Sequence, residues 1–377
     1  MPTDETFSRL WLSFAVEPGD EAVGGRTHLV GASKVLAELL AGESPLKNAK
    51  AISARLKHFE EAANDLAAQL GTPGGEGVRF ITPKDANWPT QLGALGAREP
   101  LGLFVCGQLE IKPTLNHSIS IVGTRSATTY GKHVASELAG ELASRGFTII
   151  SGAAFGIDCV AHHAALAVAG QTVAVMPAWV LDDYPPSNAA LLQQIRKHGF
   201  AISELPIGTH PTRPRFLQRN RLIAALSRAT LVIEAPWRSG ALSTARQAQS
   251  LLRLVMATPG PTTSPMSDGC NRMIREREAE LVTSAEEVIE LLAQSGCDLA
   301  VSSQTPRRID SLKGFDAAVF EAIPTKGGVS ARDISLKLGS PINDVQAALG
   351  RVELLGFVIR RSQKWALNRD ALKLASP

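Results

Sequence analysis

The sequence of 377 residues lacks several features that would place it in a special class of protein. It has only four cysteines, none in a C-x-x-C pair, which argues against a structural zinc site or a disulfide framework. No segment approaches the ~20 consecutive apolar residues that a membrane-spanning helix needs. The N-terminus has neither the basic nor the apolar region of a signal peptide, so we expect a cytosolic protein without a membrane partner.

The composition is that of a globular protein with more than one domain. Hydrophobic residues make up 44% of the chain and charged residues 20%, and the length predicts two or three domains. The formal net charge is only +3, so the composition alone does not indicate a nucleic-acid partner. Such a partner has to be argued from the positions of the charges.

Acidic residues are missing from three long stretches, 111–136, 205–233 and 235–267. A solvated protein surface normally mixes charges of both signs, so these stretches favour a groove that binds an anion. The alternative is an ordinary solvated face. The basic residues in the three stretches that we single out are Lys112, Arg125, Lys132, Arg213, Arg215, Arg219, Arg221, Arg228, Arg238, Arg246 and Arg253.

Short β-branched runs alternate with helix-length amphipathic stretches from residue 118 onward. This alternation predicts parallel βαβ units and an α/β fold with a doubly wound, mostly parallel sheet. The predicted strands are Ser118–Val122, Phe147–Ile150, Thr172–Met176, Phe200–Ser203, Leu231–Glu234 and Leu254–Ala257. The predicted helices are Gly131–Ser144, Asp158–Ala169, Ala189–Lys197, Phe216–Ala225 and Ala241–Leu251.

The regions on either side of this sheet predict two smaller domains. Apolar residues recur at helical spacing through 7–70, which predicts a helical domain over 1–72, followed by the sheet domain over 78–293. Residues 294–313 are small and polar and are predicted to be a linker. Three short helices and a hairpin are predicted over 314–370, which is the layout of a winged helix.

Ligands of open parallel sheets bind outside the carboxyl ends of the strands, and the predicted turns there are rich in glycine and small hydroxyls. Such turns and helix N-termini suit phosphate oxygens. None of them matches G-x-G-x-x-G or G-x-x-x-x-G-K-[ST], and tight strand-to-helix turns alone would also explain the glycines. The candidate residues in these turns are Gly123, Gly152, Gly156, Ser239 and Gly240.

The stretch from 213 to 221 supplies the remaining candidates, Arg213, Arg215, Phe216, Arg219, Asn220 and Arg221. Phe216 can stack on an unpaired base or belong to the core. Arg219 and Arg221 lie two apart and cannot share one helix face, so one of them is expected to serve structure. We also expect that Arg219→Glu weakens binding of a nucleic-acid single strand at least tenfold without unfolding the protein.

The sequence offers little for catalysis. Asp158 and His162 lie four apart on one helix face, where a capping or ion-pairing role is favoured over an acid/base pair. No nucleophile elbow, H-E-x-x-H motif or paired-cysteine metal site occurs. We therefore expect no enzyme, no cofactor and no metal.

The turns resemble those of the DprA/Smf family, the DNA-processing protein A family, over about 160 residues. The matching motifs are Ile121–Arg125, Tyr130-Gly131, Ser151–Asp158, Ala161-His162, Ala164–Leu166, Tyr184-Pro185, Asn188, Ser203-Glu204, Arg219–Ile223, Ser239–Ala245, Pro259-Gly260 and Gly269–Asn271. The upstream residues Trp88-Pro89, Leu92 and Leu103–Gly107 resemble the lead-in strand of the family. The sequence departs from the family pattern at Met176–Trp179, at Leu252, where a glycine is expected, and at Arg277-Glu278.

The resemblance implies a Rossmann-like domain between a sterile-alpha-motif-like helical domain and a winged helix. It implies a homodimer that coats incoming single-stranded DNA and loads the RecA recombinase during natural transformation. The family's basic pocket would map onto Arg125 and Arg219-Asn220-Arg221, with the turns at Gly152, Gly156 and Ser239-Gly240 lining it.

Two other functions remain open. Ser239–Ala245, after a strand that ends in Glu234, also resembles nucleotide-monophosphate phosphoribohydrolases of the lysine-decarboxylase-like group. Those enzymes need a glycine pair and a downstream glutamate, which this sequence lacks. Alternatively, the C-terminal winged helix regulates by binding duplex DNA. Its recognition helix offers Arg351 but also Asp344 and Glu353, so contact by the wing with phosphates, or with a protein, is favoured over base readout.

Overall fold

The structure is a computed structural model that describes residues 4–70, 77–107, 110–293, 312, 314–324, 327–361 and 364–368. The chain divides into two compact units, Met1–Leu299 and Ala300–Pro377. The predicted linker 294–313 lies outside the described residues except for Leu312. Within the described part, no helix is both long and apolar enough to cross a membrane.

Five helices form the N-terminal part of the first unit, where the sequence predicts a helical region. Two of them begin at aspartate caps, since the Asp4 carboxylate accepts from the Thr6 amide and the Asp20 carboxylate from the Ala22 amide. Their apolar faces belong to the same hydrophobic cluster as Phe104 in the sheet. The division into a separate domain at residue 72 therefore stays a prediction. The helices are α1 Glu5–Ala15, α2 Glu21–Val30, α3 Ala32–Ala41, α4 Ala49–His58 and α5 Glu60–Leu70.

The rest of the first unit is a nine-stranded sheet with helices on both faces. Its strands are β1 Val78–Ile81, β2 Leu103–Gly107, β3 Ser118–Gly123, β4 Thr148–Ser151, β5 Thr172–Val175, β6 Phe200–Ser203, β7 Ala229–Ile233, β8 Leu254–Ala257 and β9 Glu280–Leu281. The helices are α6 Ile111–Asn116, α7 Thr129–Ser144, α8 Ile157–Ala167, α9 Ala189–His198, α10 Arg213–Leu226, α11 Gly240–Ser250, α12 Asp268–Arg275 and α13 Ala285–Leu292, with 3-10 segments at Thr90–Arg98 and Pro186–Asn188.

The strand order is β1-β2-β6-β5-β4-β3-β7-β8-β9, and only the pairs β1–β2 and β2–β6 are antiparallel. The chain runs from β3 outward to β6 and then returns to β7 on the other side of β3. This reversal creates a switch point, where two neighbouring loops leave the sheet toward opposite faces and open a crevice. The predicted doubly wound, mostly parallel sheet is confirmed.

Strand β3 shows how the sequence builds two covered faces. Ile119 and Ile121 are fully buried in the cluster that includes α7 and α8. The alternate residues Ser118 and Ser120 face α10 and are buried as well. A buried hydroxyl needs a partner, and the Ser120 hydroxyl donates to the Ile223 carbonyl at 2.7 Å. These hydroxyls tie the carboxyl half of α10 to the central strand.

The second unit has its own core and contains the predicted helices and hairpin. The elements are α14 Phe315–Glu321, α15 Ala331–Leu338, α16 Ile342–Leu354, β10 Val358–Arg361 and β11 Lys364–Leu367. Val345, Leu349 and Trp365 are buried together in its core. The Arg351 guanidinium on α16 binds the Asp316 carboxylate through two nitrogens at 2.6 and 2.9 Å. The assignment of this unit as a winged helix remains a prediction.

A buried ion pair joins α10 to the end of β6. Arg221 is 1% exposed, and its two terminal nitrogens donate to the two carboxylate oxygens of Glu204 at 2.6 and 2.8 Å. A Cβ on Gly19 would lie 3.0 Å from the Arg221 Nε, so the loop between α1 and α2 packs on the same guanidinium. The pair therefore fixes α10 against both the sheet and the N-terminal helices.

Replacing Arg221 with methionine is expected to lower the free energy of unfolding by about 3–5 kcal/mol, because it leaves the Glu204 carboxylate buried without its partner. Urea denaturation of wild type and Arg221→Met measures the change. Glu137→Gln is the matched control, since Glu137 pairs with His133 on the surface and its loss should cost less than about 1 kcal/mol. Equal stability of Arg221→Met and wild type would contradict the structural role of the pair.

Candidate functional site

A cavity of about 710 Å³ opens at the carboxyl ends of β3, β4 and β7, beside the switch point. Its walls come from the loops after these strands and from the first half of α10. Eight of the twelve residues predicted from the sequence line it, namely Gly123, Arg125, Arg213, Phe216, Arg219, Asn220, Ser239 and Gly240. The predicted residues Gly152, Gly156, Arg215 and Arg221 do not line it.

Positive charge dominates the lining. Arg125, Arg213 and Arg238 are exposed arginines on three separate loops or helix ends, and Arg219 lies buried among them. Asp158 is the one acidic residue among the lining residues. Its carboxylate accepts a hydrogen bond from the Gly152 amide at 3.1 Å and is occupied in holding that turn. The cavity therefore presents a net positive surface that suits an anion.

The Arg219 guanidinium is held in place by the backbone around it. Its Nη1 donates to the Val175 carbonyl at 2.5 Å, and a Cβ on Gly152 would lie only 2.1 Å from that nitrogen. Gly152 is thus required because the guanidinium packs directly on its backbone. Burial lowers the pKa of Arg219 to about 10, and the nearby Asp158 carboxylate opposes this shift. Arg219 remains charged at neutral pH, and its Nε has no hydrogen-bond partner among the described residues.

The pKa of Asp158 is shifted in the opposite direction to that of Arg219. Burial raises the pKa of its carboxyl above the ordinary value, whereas the Arg219 guanidinium acts to lower it. The two groups therefore stabilise each other's charged forms inside the protein. An arginine that is desolvated and already fixed is ready to bind a phosphate with little loss of side-chain entropy.

Phe216 lies at the wall of the cavity with its ring partly exposed. The Arg125 Cζ is 4.8 Å from the ring centroid and the Arg219 Cζ is 6.0 Å from it. The ring of Tyr184 lies 5.8 Å away, centroid to centroid, at an angle of 56°. Phe216 therefore both supports the two arginines and offers a flat apolar surface to a ligand.

Two helices begin at the cavity, α8 and α11. Ser239 caps α11, where its hydroxyl accepts from the Ala241 amide at 3.2 Å, and a Cβ on Gly240 would meet nothing within 4 Å. Gly156 precedes α8 with φ +78°, and a Cβ there would lie 2.2 Å from the Thr124 carbonyl oxygen. The positive ends of both helix dipoles add to the charge of the arginines.

The four predicted residues outside the cavity have other roles. Gly152 and Gly156 shape the turns behind it. The Arg215 guanidinium reaches the loop between α1 and α2 instead, where Nη2 donates to the Glu17 carboxylate at 3.0 Å. Two residues advance a helix by about 200°, so the side chains of Arg219 and Arg221 face apart. Arg221 is the one that turns inward, where it meets Glu204. Arg215 and Arg221 are held by Glu17 and Glu204 and do not line the cavity, and their part in binding a ligand stays a prediction.

Several lining residues were not among the candidates. Arg238, Tyr184 and Leu217 all contribute to the walls, as do Ser243 and Thr244. Arg238 is one of the basic residues that we single out in the acid-free stretches, but it is not among the twelve site candidates. Tyr184 belongs to the family motif Tyr184-Pro185, but nothing in the sequence indicated that it lines the cavity. Nothing in the local pattern marked Leu217.

His162 does not form an acid/base pair in the cavity. It is fully buried, and its Nδ1 lies 2.7 Å from the Thr172 hydroxyl, which itself donates to the Ile149 carbonyl. Because that hydroxyl proton is already used, the Thr172 oxygen accepts and Nδ1 carries the imidazole proton. Burial, together with the nearby His163 and Arg219, lowers the pKa of His162 to about 3, so the ring is neutral at physiological pH.

Glu234 does not supply a catalytic carboxylate to the cavity either. It is buried with φ +55°, and its carboxylate accepts from the Thr128 amide at 2.9 Å and the Thr128 hydroxyl at 2.5 Å. A Cβ on Gly131 would lie 2.1 Å from the Glu234 Oε2. Its role is to bind the N-terminus of α7. No cluster of three or more potential metal-ligating side chains occurs in the described ranges.

Fold and cavity together define a Rossmann-like α/β protein with an arginine-lined crevice at the switch point of its sheet. The model of the family described as DNA recombination-mediator protein A matches residues 79–293, more than half of the chain. The chain belongs to this family, and the resemblance to the DprA/Smf proteins is confirmed.

Relatives match over most of the chain. A protein described as a DNA processing protein DprA, from Mycobacterium tuberculosis, is 36% identical over 375 residues, covering 96% of this chain and 95% of its own. Protein Smf of Escherichia coli is 40% identical over 283 residues, 74% of each chain. The solved structure of DNA processing protein A from Streptococcus pneumoniae matches with a TM-score of 0.64 at 29% identity, covering 76% of this chain and 98% of that one.

A second solved structure concerns the single-stranded DNA binding mode of DNA processing protein A from Helicobacter pylori. It matches with a TM-score of 0.51 at 30% identity and covers 56% of this chain and 95% of that one. Both structural matches support the fold described above.

His162 is expected to make the fold sensitive to acid. Its pKa of about 3 in the folded state lies below the ordinary 6.5, so the unfolded state binds more protons between these values. Stability therefore falls as the pH drops from 6.5 toward 3, by up to about 1.4 kcal/mol per pH unit from this group.

Urea denaturation across this pH range compares wild type with His162→Asn, whose amide can replace the Nδ1 donor. The variant should be less stable at pH 7 but should lose less stability on acidification. The same pH slope in both proteins would contradict a neutral, buried His162.

Proposed function

We propose that the chain binds single-stranded DNA in the arginine-lined cavity. The observation that carries this proposal is the pairing of one buried, charged guanidinium, Arg219, with three exposed arginines around a single concave site. Phosphates are the anions that such a set suits, because several guanidinium groups on different loops can follow a chain of charges. The single-stranded DNA binding described for the Helicobacter pylori relative supports the same ligand.

The aromatic residues of the cavity favour a single strand over a duplex. In a duplex the faces of the bases are stacked on each other, so a protein reaches mainly phosphates and base edges. Phe216 and Tyr184 expose ring surface beside the arginines, where the face of an unpaired base can stack. We therefore assign the arginines to the backbone of the strand and the rings to its bases.

Little sequence preference follows from this division of roles. Contacts with phosphates carry no base information, and stacking accepts any base. The described lining contains one amide side chain, Asn220, whose Nδ2 donates to the Gly240 carbonyl at 3.4 Å and so stabilises the α11 turn. Ser239 is similarly occupied as a helix cap.

We further propose the role that the DprA resemblance implies, namely that the chain protects incoming single-stranded DNA and loads the RecA recombinase during natural transformation. This role requires a cytosolic protein, and we propose a homodimer that extends the cavity into a longer groove. A binding protein without catalytic activity accords with Glu234 and Asp158, since both carboxylates are committed to backbone amides.

The test variant must be an exposed arginine. Arg219→Glu is a poor choice because Arg219 is only 5% exposed, and its replacement would bury a second carboxylate beside Asp158. The expectation that this variant stays folded is therefore withdrawn. Arg125 lines the same cavity but is exposed, so a charge reversal there changes binding without burying a charge.

Arg125→Glu is expected to weaken binding of a labelled oligothymidylate at least tenfold. Because one phosphate contact is lost, the slope of log K against log salt should become shallower by about 0.7. Fluorescence anisotropy across a salt series, with single-stranded and duplex DNA, measures both quantities.

Arg79→Glu is the matched control, since Arg79 is exposed on β1, five strands from β3, and its reversal should leave the affinity nearly unchanged. Unchanged affinity in Arg125→Glu would remove the cavity as the binding site. If the protein prefers duplex DNA and Arg125→Glu does not change that affinity, the DNA contact lies in the second unit. If the protein binds neither form, the next experiment is an assay for nucleotide hydrolysis.

A further inference from the structure

The exposed aromatic side chains of the first unit lie at the carboxyl ends of the strands of the sheet. Among its described residues, four aromatic residues are at least 36% exposed, namely Tyr130, Phe155, Tyr184 and Trp237. They follow β3, β4, β5 and β7 respectively, so all four lie at the carboxyl ends of the strands. Both tyrosines of the chain are among them. Large aromatic groups are normally buried, so their concentration beside the cavity indicates a ligand.

Trp237 is the member of this group with the most specific surroundings. Its side chain is 48% exposed, and the Arg272 Cζ lies 3.4 Å from its ring centroid. The Arg272 Nε donates to the Glu276 carboxylate at 2.7 Å, which fixes the guanidinium over the ring. One face of the indole is therefore covered by a cation while the side chain as a whole stays half exposed.

The position of Trp237 continues the cavity outward. Its neighbour in sequence, Arg238, lines the cavity, and Ser239 begins the cap of α11 at the same wall. A strand that leaves the cavity past Arg238 would meet the indole next. Trp237 itself does not line the cavity.

We propose that Trp237 and Arg272 form an outer stacking site for an unpaired base of the strand whose phosphates occupy the cavity. This inference rests on the proposed function. A base stacks on the free face of the indole, and the Arg272 guanidinium on the other face strengthens the arrangement by a cation–π contact. The exposed aromatic residues Phe155 and Tyr184 follow β4 and β5, on the other side of β3, and also lie at the carboxyl ends of the strands.

The charges around the site favour a nucleic acid over a protein partner. Arg238 follows Trp237 in sequence, and Arg272 contacts its ring. Arg275 lies about one turn after Arg272 on α12, and its side chain is 75% exposed. Glu276 is the acidic residue that pairs with both Arg272 and Arg275. A flat π surface with excess positive charge matches a stacked base followed by its phosphate.

The experiment compares two oligothymidylates, of about 4 and about 16 nucleotides, which bracket the site sizes of known single-strand binding modules. Trp237→Ala is expected to weaken binding of the longer one roughly tenfold and to leave the shorter one nearly unchanged. Trp237→Phe keeps a ring and should retain most of the affinity. Leu252→Ala is the control, since Leu252 is 96% exposed but precedes β8 at the opposite edge of the sheet.

Intrinsic fluorescence gives an independent readout. The other four tryptophans, Trp11, Trp88, Trp179 and Trp365, are all buried, so a stacked base should quench mainly Trp237. Saturating wild type with the longer oligonucleotide should quench the emission, and Trp237→Phe should abolish most of the change while it still binds.

The outcomes separate this inference from the proposed function. If Arg125→Glu weakens both oligonucleotides but Trp237→Ala weakens neither, the outer site is refuted and the cavity stands. Equal losses for both lengths in Trp237→Ala would place Trp237 within the inner site and overturn its outer position. If the tryptophan emission changes with protein concentration and not with DNA, the surface around Trp237 is a contact between two copies of the chain and the outer site is refuted. Wild type that binds neither length would overturn both proposals.

Discussion

The structure depends on how one helix, α10, places two buried guanidinium groups. Arg219 and Arg221 stand on opposite sides of the helix and are 5% and 1% exposed. A buried cation is costly unless it is paired or hydrogen-bonded, and each of the two meets this requirement differently. Arg221 binds both carboxylate oxygens of Glu204, whereas Arg219 has the Val175 carbonyl and the neighbouring Asp158 carboxylate. Arg221 therefore fixes the helix, and Arg219 is the one of the two that lines the cavity.

The sheet makes this arrangement possible because it brings backbone close to the guanidinium. The turn after β4 lacks side chains where Arg219 lies, since any Cβ on Gly152 would overlap the guanidinium. The carbonyl of Val175 at the end of β5 faces the same group. Asp158, at the start of α8, closes the arrangement by binding the Gly152 amide. The ends of two neighbouring strands, β4 and β5, therefore contribute to the placement of one side chain.

Much of this could be predicted from the sequence, because buried parallel strands are almost entirely apolar. The predicted strands at Phe200–Ser203 and Leu254–Ala257 coincide with β6 and β8. Strand β7 begins two residues before its prediction, since Ala229 and Thr230 carry little hydrophobic signal. Strand β9 spans only two residues and gives no periodicity at all. The N-terminal helices were predicted as helices, but their packing onto Phe104 depends on contacts that no local pattern encodes.

The departures from the family pattern also have a structural meaning. Leu252 stands where a glycine is expected, and its φ is +55°. Arg277, in the pair Arg277-Glu278 that also departs from the family pattern, has φ +60°. Both residues thus adopt the left-handed conformation that glycine would adopt without strain. The backbone path is kept although the residue is changed, so these departures affect local strain and leave the cavity intact.

The direction of α10's side chains was the part that sequence could not decide. Charge density identified the stretch from 213 to 221, and helix geometry showed that Arg219 and Arg221 face apart. Which of the two faces inward depends on Glu204, which lies in the loop after β6. The direction of Arg215 depends on Glu17, which lies in the loop between α1 and α2. Those two carboxylates remove two of the five basic candidates from the cavity and leave Arg125, Arg213 and Arg219, joined by Arg238. The acids that face an arginine therefore decide its role, and they are distant in sequence. A fixed buried cation together with exposed ones suits a ligand that must be captured through its charge and then held at a defined position.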